Sequence, residues 1–347
     1  MAIDSISIKN ITVFEDFSMK CSKGVNIIIG ENGTGKTTLL KMIYAACEWS
    51  NEKIDKNKSK NIFNYFNYGK KDSALLIRNN INTANDFATF GVVSKGSFMD
   101  YRLSTGSVGN IDKWVEEEIK SIFIPTTEML SHSKGFLAMN QKYEMPFDAT
   151  QIDIIVNAEL PETRQVSELN EKVLKIISNV IDGKVIYEND TFYIVKSNQS
   201  KIEFSFEAEG LRKFGLLWKL IRNGLIEDGT VLVWDEPEAN INPELIPVLV
   251  DVILELQRNG VQIFIATHSY NLAKYFEVKK KQCDSIMYHS LYHKKDKDIK
   301  NNDSYKLVPS SGVMVQSKHF FGDLETNPII EADSKLLDEV IEDSFDE

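Results

Sequence analysis

The chain has 347 residues, 42% of them hydrophobic, and its 40 basic against 51 acidic residues give a formal net charge of −11. That length suits one large domain or a core domain carrying an insertion, and the charge argues against a uniformly basic surface for nucleic acid. No run approaches the roughly 18 apolar residues of a membrane helix, the opening Met-Ala-Ile-Asp-Ser-Ile lacks the order of a secretory signal, and Cys21, Cys47 and Cys283 lie too far apart to suggest a disulfide framework or a zinc site, so a cytoplasmic protein is expected.

Strand-like alternation opens the chain at Ile6, Ile8, Ile11, Val13 and Phe14, and a run from Val25 to Ile29, broken only by Asn26, reads as a buried strand of a central sheet. It leads directly into Gly30-Glu31-Asn32-Gly33-Thr34-Gly35-Lys36-Thr37-Thr38, after which Leu39, Leu40, Met42, Ile43 and Tyr44 continue as a helix. Residues 51–114 turn polar and rich in Lys, Asn and Ser, with recurring aromatics (Phe63, Tyr65, Phe66, Tyr68), and are expected to form an insertion of short strands and loops. Ser121 to Ile124 is a further buried strand, ending at Pro125. Helices are expected over 128–142 and 163–180, a hairpin over 185–195 around Glu188-Asn189-Asp190-Thr191, and a strand through Ile202, Phe204 and Phe206. No internal repeat or long heptad array is visible.

The spacing Gly30-x4-Gly35-Lys36-Thr37 fits a P-loop, and it has the strand before and the helix after that the motif needs. Glycines let successive backbone N–H groups curl around phosphates, and the helix start adds its positive dipole end. Asn32, Gly33, Thr34, Gly35, Lys36, Thr37 and Thr38 are therefore the candidate phosphate cradle. Lys36 should reach the β- and γ-phosphates of ATP, and Thr37 should ligate Mg2+.

A complement lies downstream. The apolar strand Val231 to Trp234 ends in Asp235-Glu236, which suits Asp235 as a second Mg2+ ligand and Glu236 as the base for an attacking water. Next, Pro243 to Arg258 reads as a helix. Ile263 to Ala266 returns as a buried strand ending in Thr267-His268-Ser269, where His268 could hydrogen-bond a γ-phosphate oxygen.

With these segments in place, the sequence resembles the ABC-type ATPases, in the soluble branch near the SMC, RecF and OLD proteins. The likeness is carried by Gly30 to Thr38, Val231 to Pro243 and Thr267-His268-Ser269, and covers roughly residues 1–45 and 115–330. It implies an α/β P-loop fold with a mixed sheet flanked by helices. The core would comprise 1–50 and 115–330, followed by an acidic amphipathic tail over 331–347. By the same resemblance His268 matches the switch histidine. Gly210, opening the segment Gly210-Leu211-Arg212-Lys213, would stand in the signature that caps a γ-phosphate on a partner subunit. That signature is degenerate: the serine is absent and Glu209 precedes the glycine, so Arg212 or Lys213 would have to compensate. The same stretch also reads as an amphipathic core helix (Leu211, Phe214, Leu217, Trp218, Ile221). No glutamine follows the strand at Phe123 either, leaving Thr127 or Glu128 to take the Q-loop role. These departures imply slow or partner-gated hydrolysis.

From Gly322 onward there are ten Asp or Glu and only Lys335, so the tail holds −9 of the charge and the remainder about −2. Room is left for local basic patches at Lys279-Lys280-Lys281 or Lys294-Lys295, although such runs also read as solvated loops. Ile330, Leu337 and Ile341 share one face of the tail, which would dock on another chain or fold back on its own domain. The expected function is a homodimerising ATPase that controls a separate effector protein, as in a bacterial antiphage module. A DNA-binding repair or chromosome-maintenance ATPase of RecF/SMC type is the alternative. A transporter's nucleotide subunit is disfavoured by the degenerate signature.

Overall fold

A computed structural model describes residues 2–50, 65–66, 76–78, 88–104, 107–108, 118–143, 145–293 and 312–345. The chain begins with β1 (Ile3–Ile11), β2 (Phe14–Lys20), β3 (Val25–Gly30) and α1 (Lys36–Glu48), and continues with β4 (Ala88–Ser94), β5 (Ser97–Ser104) and β6 (Ser107–Val108). Next come β7 (Ser121–Ile124), α2 (Phe136–Tyr143), α3 (Ala149–Glu159), α4 (Glu168–Ile181), β8 (Gly183–Glu188), β9 (Thr191–Lys196) and β10 (Lys201–Glu203). The remainder is α5 (Glu209–Arg222), β11 (Val231–Asp235), α6 (Ile246–Arg258), β12 (Gln262–Ala266), α7 (Tyr270–Lys279), β13 (Ile286–His293), β14 (Val313–Lys318) and α8 (Pro328–Phe345).

Six strands form the central sheet in the order β14-β13-β3-β12-β11-β7, parallel except for the antiparallel edge pair β13–β14. Its inner strands are apolar without alternation because both faces are covered. Ile27, Leu232, Trp234 and Ile265 pack on one face with α4, α5, α6 and α7. Ile28, Val233 and Phe264 pack on the other with α1 and the second sheet. Asn26, the one polar residue in the β3 run, is fully buried yet satisfied: its carbonyl accepts from Ser22 N at 2.7 Å and its amide donates to Ser22 O at 2.9 Å.

The second sheet is antiparallel, in the order β2-β1-β4-β5-β6. β4 pairs with β1 along Ile3 to Lys9, so residues 88–104, expected within the insertion, extend the sheet that the N-terminal strands begin. Of the rest of that expected insertion, residues 65–66, 76–78 and 107–108 are described, with Tyr65 and Leu76 buried in the core, whereas Phe63 and Tyr68 lie outside the described residues, as do Lys294 and Lys295.

Three local expectations change. The helix over 128–142 is a 3-10 turn at Leu130–His132 followed by α2, because the Glu128 carboxylate takes the Leu130 and Ser131 amides and Gly135 turns left-handed at φ 70°. Instead of starting at 163, α4 begins after Ser167, whose hydroxyl caps Asn170 N at 3.1 Å, and ends at the left-handed Asp182. The strand through Phe206 stops at Glu203. Phe204 turns into the core while Phe206 is 82% exposed. The hairpin of β8 and β9 forms as expected, with Asn189 and Asp190 both at positive φ, matching the twist of a two-residue turn.

The acidic tail is helical. Ile329 is buried at its start and Asn327 caps Ile330 N, whereas Leu336, Leu337 and Val340 are about 60% exposed on one face.

Candidate nucleotide site

Parallel pairing of β3, β12 and β11 sets their carboxyl ends side by side, the edge where α/β sheets take ligands. The P-loop leaves β3, Asp235 ends β11, and Thr267-His268 leave β12 between them. Thr37 Oγ1 donates to Asp235 Oδ2 at 2.8 Å, a contact between residues 198 positions apart. The two segments expected to share one metal and one triphosphate are therefore in direct touch.

The loop has the shape of an anion cradle. Gly33 and Gly35 stand at φ 82° and 85°, and a Cβ on Gly35 would come within 2.7 Å of Val13 and Phe14 side chains. Among the described residues no side chain caps α1, so its first amides are left for an anion. Thr34 is buried and donates to Glu31 O at 2.8 Å, a loop-internal bond, while Asn32 and Gly33 stand exposed at the tip and Thr38 is half-buried. Lys36 Nζ donates to Gly30 O and Glu31 O, each at 2.9 Å. Burial lowers the Lys36 pKa to about 8, against the pull of Glu236, Asp235 and Glu31.

Burial likewise raises the Asp235 pKa, although the Thr37 and Thr126 side chains hydrogen-bond its carboxylate. A buried carboxylate of this kind favours a cation beside it. Among the described residues no three His, Cys, Asp or Glu side chains group to hold a metal alone. Thr37 and Asp235 supply two oxygens, a set that fits Mg2+ completed by phosphate and water oxygens.

Glu236 is held in a left-handed conformation at φ 48°, its N–H bonded to Ala266 O at 2.9 Å and its carbonyl accepting from Lys213 Nζ at 3.2 Å. Such backbone, unfavourable for a residue with a Cβ, persists only where neighbours impose it. His268 Nε2 lies 3.5 Å from Glu236 Oε1. Burial, then the Lys36 charge, lower the His268 pKa, which keeps the imidazole neutral at pH 7.

Two expected roles are corrected. Glu128 spends its carboxylate on Arg212 (2.9 Å) and on the Leu130 and Ser131 amides, which commits it to its own turn and to α5; of this turn it is Thr126, two residues earlier, whose hydroxyl acts to lower the Asp235 pKa. Arg212 and Lys213 point into their own chain, at Glu128 and the Glu236 carbonyl, and not outward from the start of α5. Gly210 is buried where α5 begins: a Cβ there would sit 3.0 Å from Asn240 O and 3.2 Å from Ile241 Cα, and Asn240 Nδ2 donates to Glu209 Oε1 at 2.9 Å. Close packing within the chain thus already accounts for the glycine. Of the expected basic patch, Lys279 pairs with Asp251 at 2.6 Å and Lys280 lies over the Phe320 ring.

A sheet with a P-loop at one strand end and Asp-Glu at another, backed by an antiparallel sheet, defines a P-loop ATPase of the ABC type. Known proteins agree. A family model described as "ABC transporter" matches residues 14–133, and one described as "AAA domain, putative AbiEii toxin, Type IV TA system" matches residues 151–274. The DNA replication and repair protein RecF of Staphylococcus aureus (strain bovine RF122 / ET3-1) is 22% identical over 280 residues, covering 76% of this chain and 71% of RecF. An SMC head bound to the C-winged helix domain of ScpA shares the fold with a TM-score of 0.54 at 11% identity, over 92% of this chain and 98% of that one. Another SMC head with an extended coiled coil, bound to the C-terminal domain of ScpA derived from Pyrococcus furiosus, has a TM-score of 0.50 at 11% identity, over 98% of this chain and 99% of the other. The chain thus has the fold of the ABC-type ATPases and is similar to the SMC/RecF group among them.

Proposed function

We propose that the protein binds and hydrolyses ATP with Mg2+, and that ATP-driven pairing of two copies controls a separate effector protein. The observation that carries the catalytic half is the 2.8 Å contact from Thr37 to Asp235, which brings the phosphate cradle and the acidic strand end together. The α1 amides and Lys36 bind the triphosphate. Thr37 and Asp235 hold Mg2+, which when bound neutralises charge on the phosphate oxygens. Glu236 accepts a proton from water as that water attacks the γ-phosphorus and the bond to the β-phosphate oxygen breaks. Neutral His268 donates an N–H to the γ-phosphate.

Pairing is supported by the resemblance to ABC-type ATPases, by which the start of α5 would face a second copy's nucleotide. An effector is supported by the exposed apolar face of α8 and by the toxin–antitoxin description of the matching family model. Among the described residues no helix is long and apolar enough to cross a membrane. The reading is tested by phosphate release from the purified protein with and without Mg2+, together with capture of partners from the host with and without nucleotide. One protein retained only in one nucleotide state supports it. No phosphate release under any condition sinks the hydrolytic half.

The likeness to RecF favours a second reading, a DNA-stimulated repair ATPase. ATP turnover that rises with duplex DNA and falls steeply with added salt would decide for it.

A further inference from the structure

We infer that Glu238 is a positioning residue for hydrolysis: from the turn after β11 it grips the Thr267–His268 segment and so fixes His268 against Glu236. The inference rests on the ATPase reading above and names a residue that reading does not use. Glu238 Oε1 accepts from the Thr267 hydroxyl at 2.5 Å and from His268 N at 3.3 Å, bridging two loops about thirty positions apart in the chain. The same Thr267 hydroxyl accepts from Ser269 N at 2.9 Å, and Thr267 N donates to Ile28 O at 3.0 Å, so the segment that carries the imidazole is pinned to β3 as well.

The second oxygen, Oε2, is shielded from solvent and has no hydrogen-bond partner among the described residues. Shielding half a carboxylate in this way is costly, and the site retains it. Buried Lys213 feels the charges of Glu209, Glu238, Glu236 and Asp235 together. Burial raises the Glu238 pKa. If the carboxylate served only to hold the fold, an apolar residue would do as well there. What its oxygens select is the orientation of Thr267 and of the His268 main chain.

The test compares Glu238→Ala with Glu238→Gln in the full chain, with ATP turnover, nucleotide affinity and thermal stability measured on each. The amide oxygen of Gln accepts the same two donors, whereas Ala accepts neither. Glu238→Ala should lower kcat by about tenfold or more while leaving KM and the Kd for ATP within about twofold, because a displaced group costs rate more than binding. Glu238→Gln should recover at least half of the parental kcat. Independently of turnover, the His268 imidazole resonance followed through a pH titration should move toward the ordinary histidine range in Glu238→Ala and stay at the parental position in Glu238→Gln. Unchanged kcat in Glu238→Ala, or a Gln variant as impaired as the Ala variant, overturns the inference. So does an imidazole titration identical in all three proteins. A parental protein that turns over no ATP removes the ATPase reading instead, and the imidazole titration still decides the grip on His268.

Discussion

Lys36 shows how one side chain carries the energetic tension of a nucleotide site. Its ammonium is buried beside three carboxylates and holds two main-chain carbonyls, yet desolvation still wins and lowers its pKa to about 8. An arriving triphosphate stabilises the charged form and must raise that pKa, so near pH 8 and above, binding takes up a proton. Calorimetry in buffers of different ionisation enthalpy should record net proton uptake at pH 8.5 and little at pH 6.5. Observed heats at pH 8.5 that do not change with the buffer's ionisation enthalpy would contradict this. By the same logic affinity should decline as pH rises through 8, because the free lysine then loses its charge. Lys36→Ala should weaken ATP binding by at least about 100-fold, the scale of losing a charged hydrogen-bonding group to phosphate. Near-parental affinity in a fluorescent-nucleotide titration would remove the lysine from the site. Glu236 poses a different problem: its left-handed backbone is imposed from three sides. Glu236→Gln keeps that backbone and the side-chain shape while removing the base. The variant should bind ATP as the parent does and release no phosphate above background in a single-turnover assay.

Among the elements, α5 and α3 show what local patterning specifies and what it leaves out. The periodic apolar residues of α5 were legible, and Phe214, Leu217 and Ile221 are indeed in the core. What the helix start packs against was not, since Asn240 and Ile241 arrive from thirty positions downstream. Gly210→Val should therefore cost about 1–3 kcal/mol from overpacking against that turn. A melt indistinguishable from the parent would show that the turn yields freely. The start of α3 is a stronger local device. Asp148 forms a capping box with Gln151 and is also paired with Lys41 of α1 at 2.5 Å, almost fully buried. Asp148→Ala removes a cap and leaves the lysine without this partner, at a cost of about 2–4 kcal/mol, read as a lowered denaturation midpoint. The Glu128–Arg212 pair was invisible for the same reason as the contacts of Gly210. Its members are 84 positions apart, and no spacing rule links them.

At the scale of the molecule, the two sheets share one face of the core. α1 is sandwiched between them, so the P-loop helix is braced by β1, β4 and the parallel strands alike. The fold thereby packs the site's helix from both sides and leaves the start of α5 and the exposed half of α8 at the surface. If pairing of two copies closes the site, Glu236→Gln should become dimeric in ATP and Mg2+ and remain monomeric in ADP, as measured by light scattering after gel filtration. A monomer in both would remove dimer closure from the proposal.

The amino-acid sequence alone determined the phosphate cradle, the acidic strand end and the buried strands that lead into them. Each depends on neighbours within a few residues, and the hydrogen-bonding geometry of a glycine-rich turn or an apolar strand is local. Tertiary structure decided the rest. It committed Glu128 to Arg212 and the Leu130 and Ser131 amides, turned Lys213 onto the Glu236 carbonyl, gave Glu238 its hold on Thr267, and joined residues 88–104 to the N-terminal sheet. Those choices follow from which loops the parallel strand order brings to one edge, and that order is set by the burial of both sheet faces, not by any single stretch of chain.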